Sequence, residues 1–155
     1  MPLSVVFDCN IYLQALANPV GPAGQCVALA IDKSLLLFIS PYVLQEIREV
    51  ATRPKLIAKL HLRPDRVQAL LDNIPKFAVC IAAVPVTWGY ERDPDDAHYV
   101  NLAIAAEAQL IVSRDKDLLD LMASHSPDAR DLRSRFPSLR ITDPVSFLNQ
   151  LSNRK

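Results

Sequence analysis

Short apolar runs alternate with segments of helical spacing along the chain, and this alternation constrains the fold more than any other feature. The apolar runs occupy residues 3–8, 34–40, 77–82, 109–113 and 139–142. Runs that are apolar on both faces are typical of strands buried on both sides of a parallel sheet. The helices between them supply the crossovers that parallel pairing requires. The pattern predicts a three-layer α/β/α fold with a mostly parallel central sheet of four or five strands.

Two segments interrupt this alternation. Residues 84–94 contain two prolines and a glycine, which indicates a loop. We expect Trp88 and Tyr90, which lie in this loop, to reach the surface, where aromatic rings could stack on unpaired bases. Residues 124–138 are mostly polar and are predicted to form a surface excursion.

Size and composition fit one ordinary domain. The 155 residues, half of them hydrophobic, predict a single domain over residues 1–155 with a complete core. The formal net charge is zero, so the chain lacks the basic excess of a strong phosphate binder, and contact with nucleic acid would depend on local positive residues. No signal peptide and no apolar stretch of membrane-spanning length is visible, which predicts a cytoplasmic protein without membrane contact.

Four acidic residues lie where predicted strands and helices meet one edge of the sheet. Asp8 ends the first strand, and Asp115 follows the fourth strand by two residues. Asp96 lies in the first turn of the helix that precedes the fourth strand, and Glu46 lies in the helix that follows the second strand. Because ligands bind outside the carboxyl ends of parallel strands, we expect these side chains to converge.

Carboxylates gathered at close range repel one another unless protons or a cation neutralise them. A hard divalent cation such as Mg²⁺ prefers oxygen ligands and retains positions for water and phosphate. Such an ion activates water and stabilises the charge that develops on a phosphodiester during cleavage. Zinc would favour His or Cys ligands, whereas the three histidines are scattered and the three cysteines form no C-x-x-C pair.

Each acid also has an ordinary structural explanation. Asp8 and Asp115 suit the N-terminal caps of the helices that follow them. Asp96 could belong to a simple acidic helix start, and Glu46 could lie on the solvated face of an amphipathic helix. For any one residue alone, these explanations are as good as catalysis or better. The joint occurrence of all four residues in this order favours a metal-dependent site.

The same residues carry a resemblance to a known family. VVFDCN, the Glu in the helix after the second strand, DPDDAHYVNLAIAA and LIVSRDKDLL together resemble the PIN-domain family over residues 3–151. The chain is most similar to the bacterial branch that contains the toxins of toxin–antitoxin modules, the VapC-like ribonucleases. The resemblance implies a small parallel sheet with flanking helices and a Mg²⁺- or Mn²⁺-dependent endoribonuclease acting on RNA. It also implies a homodimer and a cognate antitoxin protein.

The resemblance assigns roles by position. The implied catalytic residues are Asp8, Glu46, Asp96 and Asp115. The implied metal ligands are Asp8, Asp96 and Asp115, with Asp117 as an accessory ligand. Asp96 is chosen over Asp93 and Asp95 because its spacing to Tyr99 matches the family helix.

Other side chains near the acids receive supporting roles. Asn10 and Ser113 match positions at which the family organises the site by hydrogen bonds. Cys9 departs from the Thr or Ser that is usual at its position, and a thiol is a weaker hydrogen-bond donor. The positive residues beside the acids, and hence the candidates for contact with RNA, are Arg92, Arg114 and Lys116.

Other functions fit parts of the sequence. A phosphatase of the haloacid dehalogenase type also has an Asp after its first strand, but it requires Asp-x-Asp where this chain has Asp8-Cys9-Asn10. A nucleotide-binding loop is excluded because the three glycines form neither G-x-G-x-x-G nor G-K-[ST]. The alternative that stays open is a catalytically inactive PIN-like module that binds RNA or regulates another process.

Overall fold

The structure, a computed structural model, describes residues 2–153 and contains a five-stranded parallel sheet. The strands are β1 (Leu3–Phe7), β2 (Leu35–Ile39), β3 (Ala78–Cys80), β4 (Leu110–Val112) and β5 (Arg140–Thr142). Their order in the sheet is β3-β2-β1-β4-β5, and every neighbouring pair is parallel. The predicted three-layer α/β/α fold is confirmed, with five strands in the sheet.

Nine α-helices lie within residues 2–153, eight of them between strands and the last after β5. They are α1 (Cys9–Ala17), α2 (Pro22–Ile31), α3 (Pro41–Val50), α4 (Pro54–Leu60), α5 (Pro64–Phe77), α6 (Ala97–Ala106), α7 (Lys116–Leu119), α8 (Pro127–Arg135) and α9 (Pro144–Asn153). Six of them begin with proline, whose fixed φ suits the first helical position and whose missing N–H costs nothing there. Two 3₁₀ turns, Pro94–Asp96 and Asp120–Met122, precede α6 and follow α7. Across the described part of the chain, no helix is both long and apolar enough to cross a membrane.

Helix α8 lies inside the segment that we predicted to be a surface excursion. Ser126 caps it by accepting a hydrogen bond from the amide of Ala129, and Pro127 starts its first turn. Ala129 and Leu132 are fully buried, whereas the rest of the helix is polar. Two buried positions three residues apart are enough to dock a helix, but they give too weak an apolar period to be recognised in sequence.

Trp88 and Tyr90 are buried, contrary to our expectation that they would reach the surface. Their exposed fractions are 2% and 5%. The indole N–H of Trp88 donates to the carbonyl oxygen of Asp128 at 3.3 Å, and the Tyr90 hydroxyl donates to that of Asp117 at 2.8 Å. The loop that carries them is therefore packed against α7 and α8, and neither ring is available for stacking on a base.

The position of the acidic residues follows from the pairing of β1 with β4. Phe7 pairs with Val112, and the ladder continues past the strand ends. The amide of Asp8 donates to the carbonyl oxygen of Val112 at 3.2 Å, and the amide of Ser113 donates to that of Thr142 at 2.9 Å. Asp8 and Ser113 therefore leave the sheet side by side at its carboxyl edge. Helix α6 packs on β1, β2 and β4, and its first turn lies at the same edge.

A buried asparagine in α6 fixes the loop that leads into this edge. The Asn101 side-chain oxygen accepts from the amides of Thr87 and Trp88, at 2.9 and 2.8 Å. Its side-chain nitrogen donates to the Trp88 carbonyl oxygen at 2.9 Å. Asn101 is 4% exposed, so these backbone groups have little access to water as a substitute partner.

Replacing Asn101 by Ala should destabilise the protein by about 2–4 kcal/mol. The estimate combines about 1 kcal/mol for each lost hydrogen bond with the cost of leaving buried backbone groups unpaired. Urea unfolding followed by circular dichroism measures this change. Asn149→Ala, at an exposed position of α9, serves as the control and should change the free energy of unfolding by less than about 0.5 kcal/mol. Equal stability of the two variants would contradict the role given to Asn101.

Candidate metal centre

Asp8 binds different partners with its two carboxylate oxygens. It caps α1, with Oδ1 accepting from the amide of Ile11 at 3.1 Å. Its other oxygen, Oδ2, accepts a hydrogen bond from the hydroxyl of Ser113. The residue is 3% exposed, so the carboxylate is held rigidly at the end of β1.

Ser113 connects Asp8 with Asp115. Its hydroxyl oxygen accepts from the Asp115 amide at 2.9 Å while its proton goes to Asp8. Asp115 caps α7, with Oδ1 accepting from the amide of Asp117 at 2.8 Å. One fully buried hydroxyl thus sets the distance between the acid after β1 and the acid after β4.

Asp93, Asp96 and Asp115 form a compact group of carboxylates. One oxygen from each of them lies within 4.8 Å of the other two. Asp93 and Asp96 are brought together because a 3₁₀ turn starts at Pro94, and residues three apart face the same side of such a turn. The sequence prediction passed over Asp93. The signal that could have identified it is the Asp-Pro pair, which starts a tight turn three residues before Asp96.

Glu46 approaches the same group from α3. It lines one small cavity of about 150 Å³ with Asp8, Asp96 and Asp115, so the structure brings together the four predicted acids. Oε1 of Glu46 accepts a hydrogen bond from the hydroxyl of Tyr99. Its Oε2 lies 3.5 Å from Nε2 of His98, a close contact without the geometry of a hydrogen bond.

The electrostatics of the cavity show the cost of gathering these acids without a cation. Burial raises the pKa of Asp8 to about 6, although the hydrogen bonds from Ser113 and Ile11 oppose the shift. Burial and the neighbouring carboxyls of Asp115 and Asp93 raise the pKa of Asp96 further above its ordinary value. Without a cation, burial and these neighbours therefore favour the protonated form of Asp96.

Glu46 behaves differently from these aspartates. Burial raises its pKa, but the contacts with His98 and Tyr99 outweigh this effect and leave the pKa of Glu46 below its ordinary value. The carboxylate of Glu46 is therefore ionised at neutral pH.

The remaining predicted site residues differ in their relation to the cavity. Asn10 is exposed and lines the cavity. Asp117 stands outside the three-carboxylate group, and its Oδ1 pairs with Nη2 of Arg92 at 2.5 Å. The same guanidinium nitrogen lies 2.9 Å from Oδ2 of Asp120. Arg114 and Lys116 are exposed on either side of Asp115 in sequence.

The donor set fits a hard divalent cation. Oδ2 of Asp96 is buried and has no hydrogen-bond partner within residues 2–153, which is costly for a carboxyl oxygen unless a ligand satisfies it. The three clustered groups are all carboxylates, and oxygen-only donors suit Mg²⁺ or Mn²⁺. His98, the histidine beside this cavity, contacts Glu46 and lies outside the three-residue group.

Comparison with known proteins identifies the family of this chain. Residues 4–117 match the PIN domain family. The match covers more than half of the chain, so the protein belongs to this family, whose members are commonly nucleases that use divalent metals. A relative from Methanocaldococcus jannaschii, itself an uncharacterized protein, is 27% identical over 157 residues. That similarity covers 96% of this chain and 91% of the relative.

The raised pKa of Asp8 should make the cation-free protein less stable as the pH rises. Below the ordinary pKa of 3.8 the carboxyl is protonated in both the folded and the unfolded chain, and its contribution is fully present. Between 3.8 and about 6 the unfolded chain loses the proton first, so stability is lost as the pH rises through the folded pKa. The shift corresponds to about 3 kcal/mol.

Asp8→Asn removes this titration. Urea unfolding in EDTA, at pH values from about 3.5 to 7, should show the stability of the wild type falling by about 3 kcal/mol relative to Asp8→Asn. Both proteins share all other titrating groups, so their difference isolates Asp8. A difference that stays constant over this range would contradict the raised pKa.

Asp96→Asn should separate stability from cation binding. Asparagine keeps the shape of the protonated carboxyl and removes its charge, so the variant should unfold in EDTA at a temperature no lower than the wild type. Saturating Mn²⁺ should stabilise the wild type, by about 2.7 kcal/mol at 100 times Kd, and should leave Asp96→Asn unchanged. Differential scanning calorimetry with and without Mn²⁺ measures both effects. An equal Mn²⁺ shift in both proteins would exclude Asp96 as a ligand.

Proposed function

We propose that this protein is a Mg²⁺- or Mn²⁺-dependent endoribonuclease, a hydrolase that cleaves phosphodiester bonds within RNA. The observation that carries the proposal is the buried, unpartnered Oδ2 of Asp96 beside Asp93 and Asp115. Membership of the PIN domain family supports nuclease chemistry at this place in the fold. The proposal also treats residues 1–155 as one nuclease domain.

In this proposal the aspartates at the cavity are the ligands of the cation. Asp8, Asp96 and Asp115 hold the cation, and Asp93 contributes a further oxygen to the same group. When bound, the cation would neutralise these acids, increase the acidity of a water and offset the charge that develops on the phosphate. Asp117 serves at most as an accessory ligand, because Arg92 already neutralises its carboxylate.

Glu46 and Ser113 support the reaction without being part of the close carboxylate group. Glu46 is ionised and lines the cavity, so it accepts a hydrogen bond from the attacking water and directs that water at the phosphorus. Ser113 keeps Asp8 and Asp115 at a fixed separation. In this proposal Asn10, which is exposed at the cavity, donates a hydrogen bond to a phosphate oxygen.

The positive charge needed to hold RNA is local. Arg114 and Lys116 are exposed next to Asp115, and Arg53 lines the cavity itself. Arg92 is engaged with two aspartates, so it contacts RNA only if those ion pairs open. With zero net charge overall and few positive side chains near the cavity, the protein should bind RNA modestly and with a shallow dependence on salt.

The proposal is tested by cleavage of single-stranded RNA in the presence of Mg²⁺, Mn²⁺ or EDTA. We expect cleavage with either metal and none in EDTA. Asp8→Asn, Asp96→Asn and Asp115→Asn should each lower kcat by about 100-fold or more, since each removes a charged ligand of the cation. Asp72→Asn, at an exposed position of α5, is the matched control and should cleave as the wild type does.

Each other outcome of this assay has a distinct meaning. If all forms bind RNA equally and none cleaves it with metal, the chain is an inactive PIN-like module for RNA binding or regulation. If DNA is cleaved in preference to RNA, the ribonuclease assignment is wrong and the nuclease assignment stands. If EDTA leaves cleavage intact, the metal-dependent mechanism is wrong.

We further propose that the protein is the toxin of a toxin–antitoxin pair, acting in the cytoplasm as a homodimer. This part rests on the resemblance of its acidic motifs to those of the bacterial toxin branch. Expression should arrest growth in proportion to the ribonuclease activity, and the product of an adjacent gene for a small antitoxin should relieve the arrest. Normal growth with active enzyme present would contradict the toxin role.

A further inference from the structure

Tyr99 connects the start of α1 with Glu46 on α3 through the hydrogen bonds of its hydroxyl group. Its ring is buried in α6, with 2% of the residue exposed. Its hydroxyl oxygen accepts from the amide of Cys9 at 2.9 Å, and its proton goes to Oε1 of Glu46. A chain of hydrogen bonds thus runs from the start of α1, through Tyr99, to the acid on α3.

Each hydrogen bond of the Tyr99 hydroxyl satisfies a partly or fully buried polar group that would otherwise lack a strong partner. Cys9 is the first residue of α1, and the amides of a first helical turn have no partner within the helix. The Asp8 side chain accepts from the amide of Ile11, so the amide of Cys9 needs a different acceptor. That acceptor is the hydroxyl oxygen of Tyr99. Burial and the neighbouring acidic groups raise the pKa of Tyr99, so its hydroxyl keeps its proton and remains a donor to Glu46.

Glu46 has a second polar neighbour in His98, which meets the other carboxylate oxygen. Nε2 of His98 lies 3.5 Å from Oε2 of Glu46, without hydrogen-bond geometry. The thiol of Cys9 lies near Glu46 and Tyr99, but a thiol is a weak donor. The Tyr99 hydroxyl is therefore the strong donor that holds Oε1.

We infer that Tyr99 is the positioning residue that holds Glu46 in the cation cavity. The Tyr99 hydroxyl is itself fixed to the start of α1, and it supplies the hydrogen bond that the Cys9 thiol is too weak a donor to give. This inference rests on the proposed function, since it keeps the carboxylate of Glu46 directed into the cavity that the cation would occupy. There the negative charge of Glu46 would raise the affinity for the cation without direct coordination, and the carboxylate would orient the attacking water. Tyr99 itself touches neither substrate nor cation and acts through Glu46.

Tyr99→Phe tests the inference because it deletes the hydroxyl and keeps the ring. We expect its affinity for Mn²⁺, measured by isothermal titration calorimetry on the full chain without RNA, to fall about 10-fold or more, as is typical when a residue that orients a metal site is lost. In RNA cleavage kcat should fall by a similar factor while KM changes little. Tyr12→Phe is the matched control, because the Tyr12 hydroxyl is buried and has no hydrogen-bond partner in the described residues.

A rescue variant distinguishes positioning of Glu46 from general packing. Cys9→Ser, placed in the Tyr99→Phe protein, supplies a stronger donor beside Glu46 and should restore part of the lost Mn²⁺ affinity. A loss of packing around the ring of Tyr99 would not be repaired by a change at position 9. Failure of Cys9→Ser to improve a folded Tyr99→Phe protein overturns the inference, as does a Tyr99→Phe protein that binds Mn²⁺ as tightly as Tyr12→Phe.

If Tyr99→Phe does not fold, an NMR measurement on the wild-type protein tests the inference. The hydroxyl proton of Tyr99 should give a slowly exchanging NMR signal with cross-peaks to the side chain of Glu46. A rapidly exchanging hydroxyl, or one without contact to Glu46, overturns the inference. Because neither this spectrum nor the Mn²⁺ titration involves RNA, both decide the role of Tyr99 even if no form cleaves RNA, an outcome that would count against the proposed function alone.

Discussion

Parallel pairing of β1 with β4 is the interaction on which the site depends. It places the ends of two strands at one level, so that Asp8 and Ser113 leave the sheet together. The buried hydroxyl of Ser113 then connects Asp8 to Asp115. Because backbone hydrogen bonds fix this register and the bridging hydroxyl of Ser113 is fully buried, the distance between the two acids is set by well-packed parts of the fold.

The other acids are brought to this edge by helices. The 3₁₀ turn before α6 presents Asp93 and Asp96 together, and α3 presents Glu46. Concentrating carboxylates in a small buried cavity opposes folding, as the raised pKa values of Asp8 and Asp96 show. A cation offsets that cost, so the same arrangement that strains the cation-free protein favours binding of a divalent ion. Binding and stability are therefore linked through the same side chains.

Much of the fold could be predicted from the sequence because the strands are strongly apolar. All five strands were found within one or two residues of their ends. Helix α8 was missed because only Ala129 and Leu132 are buried in an otherwise polar segment. The burial of Trp88 was missed because it depends on Asn101 and Asp128, which are distant partners that no local pattern reveals.

The sequence by itself determined the class of fold and the supply of carboxylates at the strand ends, because apolar periodicity and residue type are local properties. Only the tertiary structure decided how those groups divide their roles. It put Asp93 rather than Asp117 with Asp96 and Asp115, neutralised Asp117 with Arg92, and gave Glu46 a donor in Tyr99. These outcomes depend on distances between residues far apart in the chain, and such distances are fixed only when strands pair and helices pack.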